Sequence, residues 1–576
     1  MKLVLKKFLE LPGVYPSIVK SLDQNEFSSV ISSMVQGSVW QSIRIRFKDK
    51  RVIPLNLVSD AYEANNPLGS HRGLKKMNGV YYSISCLPPE FANRLENFFL
   101  AQIHREKDYT EFGNKIIFSR LIKEMVELAN DGIVIDIDGR EETVYFAVAR
   151  ILGDNLGLNA LLGFERSFNA TYFCRTCEAT KTMTKTQATE RKVLLRNKNK
   201  YQKDVSNCTR GIKEECVFNP VIDHICELPT VDPTHDINEG IARYGIREIL
   251  YNLILVEKFF TVKQVNERLL SVNKQLAAGT NVPPPFSRQQ VKKKMIKVSA
   301  SEMTFLILHL GVLVGKYVPA DHKMWQLYKM LRKIYCLVMA PSFTQKTPNS
   351  LKSLITRHHK LYLELIGKLK PKHHFLLHYS LAMKKLGLLR YVATIRYAAK
   401  HKEFKHTANM VTTRINLGYT LAQKHQLQLA YRFYLNKPLE NSITFGKQHI
   451  HRLTLLDNVE SFKDALPEGI NDQIRYLSWI KFDGTIYKVG MAVCIQPHNS
   501  LPSFGEIKHI FESDDKIYFV IRKLETVKKI EHLQSYHVRP TENWQVMTKD
   551  FPSHITHDIF VLPCELYHVL FRAFKC

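Results

Sequence analysis

The sequence predicts an α/β unit, a long all-helical segment and a small closing β domain, and three observations predict it. At 576 residues the chain exceeds one domain. Apolar runs with strand texture fall before residue 155 and after residue 470, with helical texture between 233 and 435. Charge divides the same way: residues 470–576 hold 13 Lys/Arg against 12 Asp/Glu, whereas the preceding 469 hold 69 against 42.

The elements follow in order. VIPLNLVSD (52–60) and MNGVYYSISCL (77–87) read as paired strands. Helical stretches are expected around 92–103 and 116–130, and TVYFAVARILGDN (143–155) is a long apolar strand ending in Gly153, Asp154 and Asn155. Strand, strand, helices, strand is α/β. Residues 181–203 carry eight Lys/Arg without apolar periodicity and are expected to form a cationic, mobile arm. Helices then dominate to 435, apart from the PPP at 283–285. Near 470 short runs such as TIYKVGMAVCI and KIYFVIRKL, separated by turn residues, predict a barrel or sandwich. Its aromatic residues Trp479, Tyr487, Tyr518, Phe519, Tyr536 and Trp544 are expected in the core rather than in a ligand cage.

Several classes are excluded at this level. The start, MKLVLKKFLELPG, is broken by Lys6 and Lys7 and does not read as a signal peptide; TFLILHLGVLVG (304–315) is too short to span a bilayer. A soluble intracellular chain without a membrane partner is expected. Ten cysteines are too sparse for a disulfide scaffold, and only Cys174 and Cys177 stand close enough for a metal pair. The net charge of +28 favours a polyanionic partner.

Asp60 and Asp154 end predicted strands. Carboxylates at neighbouring strand ends can hold Mg²⁺ for phosphoryl transfer, or each can simply close a turn. The C-x2-C of Cys174 and Cys177 and the KHHFLLH of His373 and His378, with His374 as the alternative, offer two thiolates and two imidazoles. That set makes a closed tetrahedral Zn²⁺ site, against the plainer reading of unrelated thiols and a histidine-rich turn. Lys181, Lys185, Arg191, Lys192, Arg196, Lys198, Lys200 and Lys203, with a second cluster of Lys292, Lys293, Lys294 and Lys297, would meet DNA through backbone phosphates, or form solvated faces. KKKMIK reads as a nuclear localisation signal, so a nuclear protein is expected.

SDAYEANNPLGSHRGLKKMNGVYYSISCLPPE, GDNLGLNALLGFERSFNATYFCRTC, DPTHDINEGI, LKPKHHFLLHYS and IRYAAKHKEFK together resemble the transposases of CACTA (EnSpm-type) elements of animal genomes, from about Leu5 to about residue 435. That family resembles the V(D)J recombinase core. The resemblance implies an RNase H-like fold with a DDE metal triad, a helical insertion before the third acid, and a structural zinc. It divides the chain into a lead-in (1–50), the first part of the core (51–178), a helical insertion with its basic arm (179–355), closing helices (356–440) and the β domain (470–576). It makes Asp60 and Asp154 the first two acids, and Cys174, Cys177, His373 and His378 the zinc ligands.

The third acid belongs in a motif of the form Arg-aromatic-Glu-Ala-Lys-His-Lys. Here Arg396 and Tyr397 are followed by Ala398, Ala399, Lys400, His401 and Lys402, so alanine stands where the glutamate should. A methyl group cannot ligate Mg²⁺, and its loss removes on the order of 10³-fold in rate, about 4 kcal/mol. Glu403 lies about 140° round a helix from residue 398. Glu239 in THDINEG is the other replacement, although Asp232 as N-cap and His235 and Glu239 one turn apart give that motif a structural explanation. The expectation is a transposase-derived nuclear DNA-binding protein with a degenerate DDE site, with Mg²⁺ only if activity survives. Alternatives are an active Mg²⁺-dependent recombinase using a displaced acid, and a protein-interaction scaffold. A homodimer is left open. The chain begins at the lead-in to the core, so recognition of specific DNA ends is not expected.

Overall fold

The structure, a computed structural model, describes residues 1–25, 28–64, 76–92, 94–222, 228–275, 281–411, 415–439, 443–482, 485–496, 501–548, 556–557, 559–562 and 566–570. It is a mixed α/β protein with a strand-rich C-terminal region. Two compact units are present: Met1–Ile241 with Ile334–Glu440, and Ala242–Lys333 with Asn441–Phe574. The division falls inside the segment 179–355, whose first part folds with the α/β unit.

The first unit is built on a five-stranded sheet. Its strands are β1 (Val52–Glu63), β2 (Lys76–Ile84) and β3 (Phe99–Arg105), followed by helix α1 (Asp108–Asn130), then β4 (Ile133–Ile137) and β5 (Arg140–Leu152), in the spatial order β3-β2-β1-β5-β4. β1 to β3 form an antiparallel meander, β5 lies parallel to β1, and β4 closes the edge against β5 as a hairpin. The expected strands at 52–60, 77–87 and 143–155 are present, but the helix expected around 92–103 is not. Phe99–Arg105 is the strand β3, because its main chain finds a partner in β2, and that pairing overrides local helical texture.

The central strand β1 is buried over its first eight residues, as a strand covered on both faces must be. Its period of two separates those faces. Ser59 bonds Asn78, which in turn contacts Tyr109 of α1. Phe118, Leu121, Met125 and Leu128 recur on α1 at helical spacing and are buried. On the other face lie Asn56, Asp60 and Tyr62. Against it packs α5 (Ile395–Met410), after α2 (Asn155–Leu161), α3 (Lys198–Asn207) and α4 (Pro371–Leu376) in the chain and before α6 (Leu417–Tyr434). The residues before β1 also fold: Leu5, Phe8, Leu9, Val14 and Ile18 are buried, and Phe8 meets Phe99 edge-on.

The second unit combines helices with the C-terminal strands. Trp325 Nε1 donates to the His532 carbonyl at 3.0 Å, and His532 Nε2 donates to the Gly315 carbonyl at 2.7 Å. A side chain at Gly311 would collide with the Leu533 carbonyl, so glycine is what lets that turn approach the helix Ala300–Val314. The strands begin at Thr444, earlier than 470, and form a large antiparallel sheet and a three-stranded one. Tyr487 and Phe519 share one core cluster, Tyr518 and Trp544 another, Tyr536 a third. Tyr487, Phe519, Tyr518 and Tyr536 are core residues, as expected, Trp544 packs against its cluster, and Trp479 is only half-buried.

Candidate functional site

Two polar constellations lie in the first unit. One is at the C-terminal ends of β1 and β5. Their parallel register reaches Val58 opposite Leu152, which brings Asp60 and Asp154 to one level two residues on. Gly153 makes the turn possible, since a Cβ there would stand 2.8 Å from the Ser59 carbonyl. Asp154 caps α2, its carboxylate accepting from the Gly157 N–H. Asp60 is mostly buried, its side chain 18% exposed. Burial, and then the charges of Asp154 and Asp232, push its carboxyl up to about 7, while His235 pulls the other way.

The THDINEG segment completes this cluster. Asp232 accepts from the Thr234 N–H at 3.1 Å, as the N-cap reading expects, but its carboxylate also binds His235 Nδ1 and the Thr394 hydroxyl at 2.7 Å. Glu239 Oε2 lies 3.9 Å from His235 Nε2, one turn along. Burial opposes a charge on His235, but Asp232, Glu239 and Asp154 outweigh it and raise the imidazole to about 9. Its neighbour Asp236 is tied elsewhere, accepting from Asn155 at 2.6 Å and Tyr379 at 2.9 Å.

Helix α5 covers the cluster. Thr394 bonds Asp232 at its start, and His401 Nδ1 lies 3.5 Å from Asp60 while its ring stacks on Tyr62. Burial holds His401 down to about 4, so the ring is neutral and supplies Asp60 with no counter-charge. Residues 394, 398 and 401 lie on one helical stripe. Ala398 is thus on the acid-facing side, exposed, between a residue bonded to Asp232 and one touching Asp60. Glu403 instead pairs with Lys400 at 2.7 Å.

The second constellation is a buried group of Cys174, Cys177, His374 and His378, whose ligand atoms all lie within 4.8 Å of one another. Cys174 Sγ is 3.5 Å from His378 Nε2, and Cys177 Sγ is 3.2 Å from His374 Nε2. A tetrahedron with Zn–S of about 2.3 Å and Zn–N of about 2.05 Å has S···N edges of about 3.5 Å, so the donor set fits a metal ion such as zinc. Burial raises the Cys174 thiol, but Cys177, His378 and His374 together hold it well below the usual thiol range.

The imidazole pair expected at 373 and 378 needs one correction. His374 and His378 are the pair, one helical turn apart, while His373 turns toward His358, His359 and Tyr362. A separation of five residues rotates the second ring away from the first, and a separation of four keeps both on one side. Of the other cysteines, Cys86, Cys216 and Cys494 are buried free thiols; Cys226, Cys564 and Cys576 lie outside the described residues.

The basic run 181–203 also differs from expectation. It is folded, with helical turns at Lys181–Thr184 and Lys192–Leu194 leading into α3. Arg196 is buried, bonding the Cys174 carbonyl at 3.3 Å and pairing with Asp204 at 3.2 Å, so it faces no phosphate. Lys200 is taken up by Glu178 and the Val193 carbonyl, and Lys181 by Asn169. Lys185, Arg191, Lys192, Lys198 and Lys203 are exposed, as are Lys292, Lys293 and Lys297 of the other cluster. Lys294 is held by Glu248 at 2.6 Å and lies over Tyr251. The signal that composition missed is the interleaving of Glu178, Glu190 and Asp204 with those cations.

No helix among the described residues is long and apolar enough to cross a membrane. No family model matches the chain, and no curated protein matches it.

Proposed function

We propose that the chain is a transposase-derived nuclear DNA-binding protein with an RNase H-like scaffold, a structural zinc and a DDE site that has lost its third acid. The observation that carries this reading is the convergence of Asp60, Asp154 and the helix stripe holding Ala398. Strand topology supports it: an antiparallel meander, a helix, and a strand parallel to the first, with Asp60 on the first strand and Asp154 just past the end of its parallel partner. Zinc, held by Cys174, Cys177, His374 and His378, would be structural, because four protein ligands leave no open position. Mg²⁺, when bound, would supply Lewis-acid activation; Asp60 and Asp154 would hold it from one side only, with a methyl at 398.

Charge supports DNA as the partner. Residues 365–437 carry 14 Lys/Arg and a single acid, Glu403. Arg396, Lys402 and Lys405 on α5 and Lys424 on α6 are exposed. Contacts of this kind reach phosphates and carry no sequence choice.

The test is a nicking and binding assay on the purified chain with Mg²⁺ or Mn²⁺. The parent is expected to bind duplex DNA without cutting it, and Ala398→Glu to restore the missing ligand and some nicking. Robust cleavage by the parent, abolished by Asp60→Ala, overturns the inactive reading. It would favour the active one, in which a displaced acid completes the triad.

A further inference from the structure

We infer that Glu190 is the positioning residue of the Cys/His centre: its carboxylate orients His378 as a metal ligand and fixes the tautomer. This rests on the zinc reading above. His378 is buried, and its two ring nitrogens have opposite partners. Nε2 faces Cys174 Sγ at 3.5 Å, and Nδ1 lies 2.9 Å from Glu190 Oε1. A carboxylate only accepts, so Nδ1 carries the proton and the lone pair of Nε2 is directed at the centre. Metal-bound histidines are held in this way by an outer carboxylate, which also raises their basicity.

Glu190 is placed for this role. Its side chain is 7% exposed, and its second oxygen lies 3.9 Å from Lys352 Nζ. The charges balance: two thiolates neutralise one Zn²⁺, and Lys352 offsets the carboxylate. Glu190 is also the one acid within the basic run 181–203. That run wraps the centre, with the Glu178 N–H bonded to the Leu194 carbonyl at 2.9 Å and the Arg196 N–H to the Thr176 carbonyl at 3.1 Å. A sequence whose charge suggests a DNA arm therefore carries the outer shell of the metal centre. His374 has no equivalent support: its Nδ1 is buried without a hydrogen-bond partner among the described residues.

The experiment compares the full-length parent with Glu190→Ala and Glu190→Gln in two readouts. Zinc retention is measured against a chromogenic chelator, and the visible ligand-field bands are recorded after Co²⁺ substitution. Glu190→Ala is expected to hold zinc about 10- to 100-fold more weakly and to shift the Co²⁺ bands. Glu190→Gln, whose amide oxygen still accepts from Nδ1, should be intermediate, and it keeps the test valid if the alanine variant fails to fold. A parent that holds zinc, with both variants equal to it in affinity and spectrum, overturns the role of Glu190 alone. A parent that holds neither zinc nor Co²⁺ overturns the zinc reading, and this one with it.

Discussion

His373 and His374 are adjacent and chemically identical, yet only one reaches a thiol. Both are fully buried, so the two substitutions separate ligation from packing. His374→Ala is expected to lose the metal, read by elemental analysis of the purified chain. His373→Ala should keep it while destabilising the fold by about 1 to 3 kcal/mol, since the ring contacts Tyr362 and His359 are lost. Asp60 makes a different prediction. Its carboxyl is raised from 3.8 to about 7, so the folded chain binds a proton there that the unfolded chain releases. Stability from this group is present below its ordinary value and is lost as pH rises through that window. In metal-free buffer Asp60→Asn should therefore be about 1 to 4 kcal/mol more stable than the parent near pH 8 and no more stable near pH 4, read by denaturant unfolding at both pH values. Equal effects at both would show that the carboxyl is not protonated in the fold.

At the scale of elements, the segment 178–204 is bonded to the chain around Cys174 and Cys177 and carries a buried ion pair. Arg196 and Asp204 are both almost wholly buried, and removing Arg196 leaves the buried carboxylate only Arg210, itself 43% exposed, at 3.2 Å. Arg196→Ala is expected to cost about 3 to 5 kcal/mol, whereas Lys198→Ala on the exposed side of α3 stays within about 0.5 kcal/mol. Chelating the metal should release the same segment, and limited trypsin digestion should then cut first among Lys181–Lys203. Cleavage at the same rate with metal and without it would show that the segment is held by packing alone. Helix α5 is set by a different logic: Tyr397, His401 and Phe404 bury one side against β1 and β2 while Arg396, Lys402 and Lys405 stay in solvent. Position 398 lies at the border, where a longer side chain can be added without a collision in the core.

For the whole molecule the governing quantity is the charge. Binding to duplex DNA should weaken steeply with salt, by a slope of about 0.9 in log-log terms for each phosphate neutralised. Lys402→Glu with Lys405→Glu in the full chain is expected to lower that slope by about 2. Lys292→Glu with Lys293→Glu tests the second cluster separately. Affinity that does not change between about 50 and 300 mM salt would favour the scaffold reading, in which the charge serves solubility.

Periodicity and charge are local properties, and they were readable without a structure. The runs at 52–60, 77–87 and 143–155 read as strands because they are short, rich in β-branched and aromatic residues and bounded by turn residues. The C-x2-C pair marks two donors of the Cys/His cluster within four consecutive residues. Three things were decided only in three dimensions. Phe99–Arg105 became a strand because β2 offered an edge to pair with. The choice between His373 and His374 depended on which way one short helix turned toward thiols some two hundred residues away. The segment 181–203 turned from a solvated arm into folded chain packed round the Cys/His cluster because Glu190 and Arg196 meet partners that composition counts only as a sum. Sequence fixes which groups are present, and contact between distant segments fixes which of them neutralise one another, because charge and hydrogen bonding act over a few ångströms of space whatever the separation along the chain.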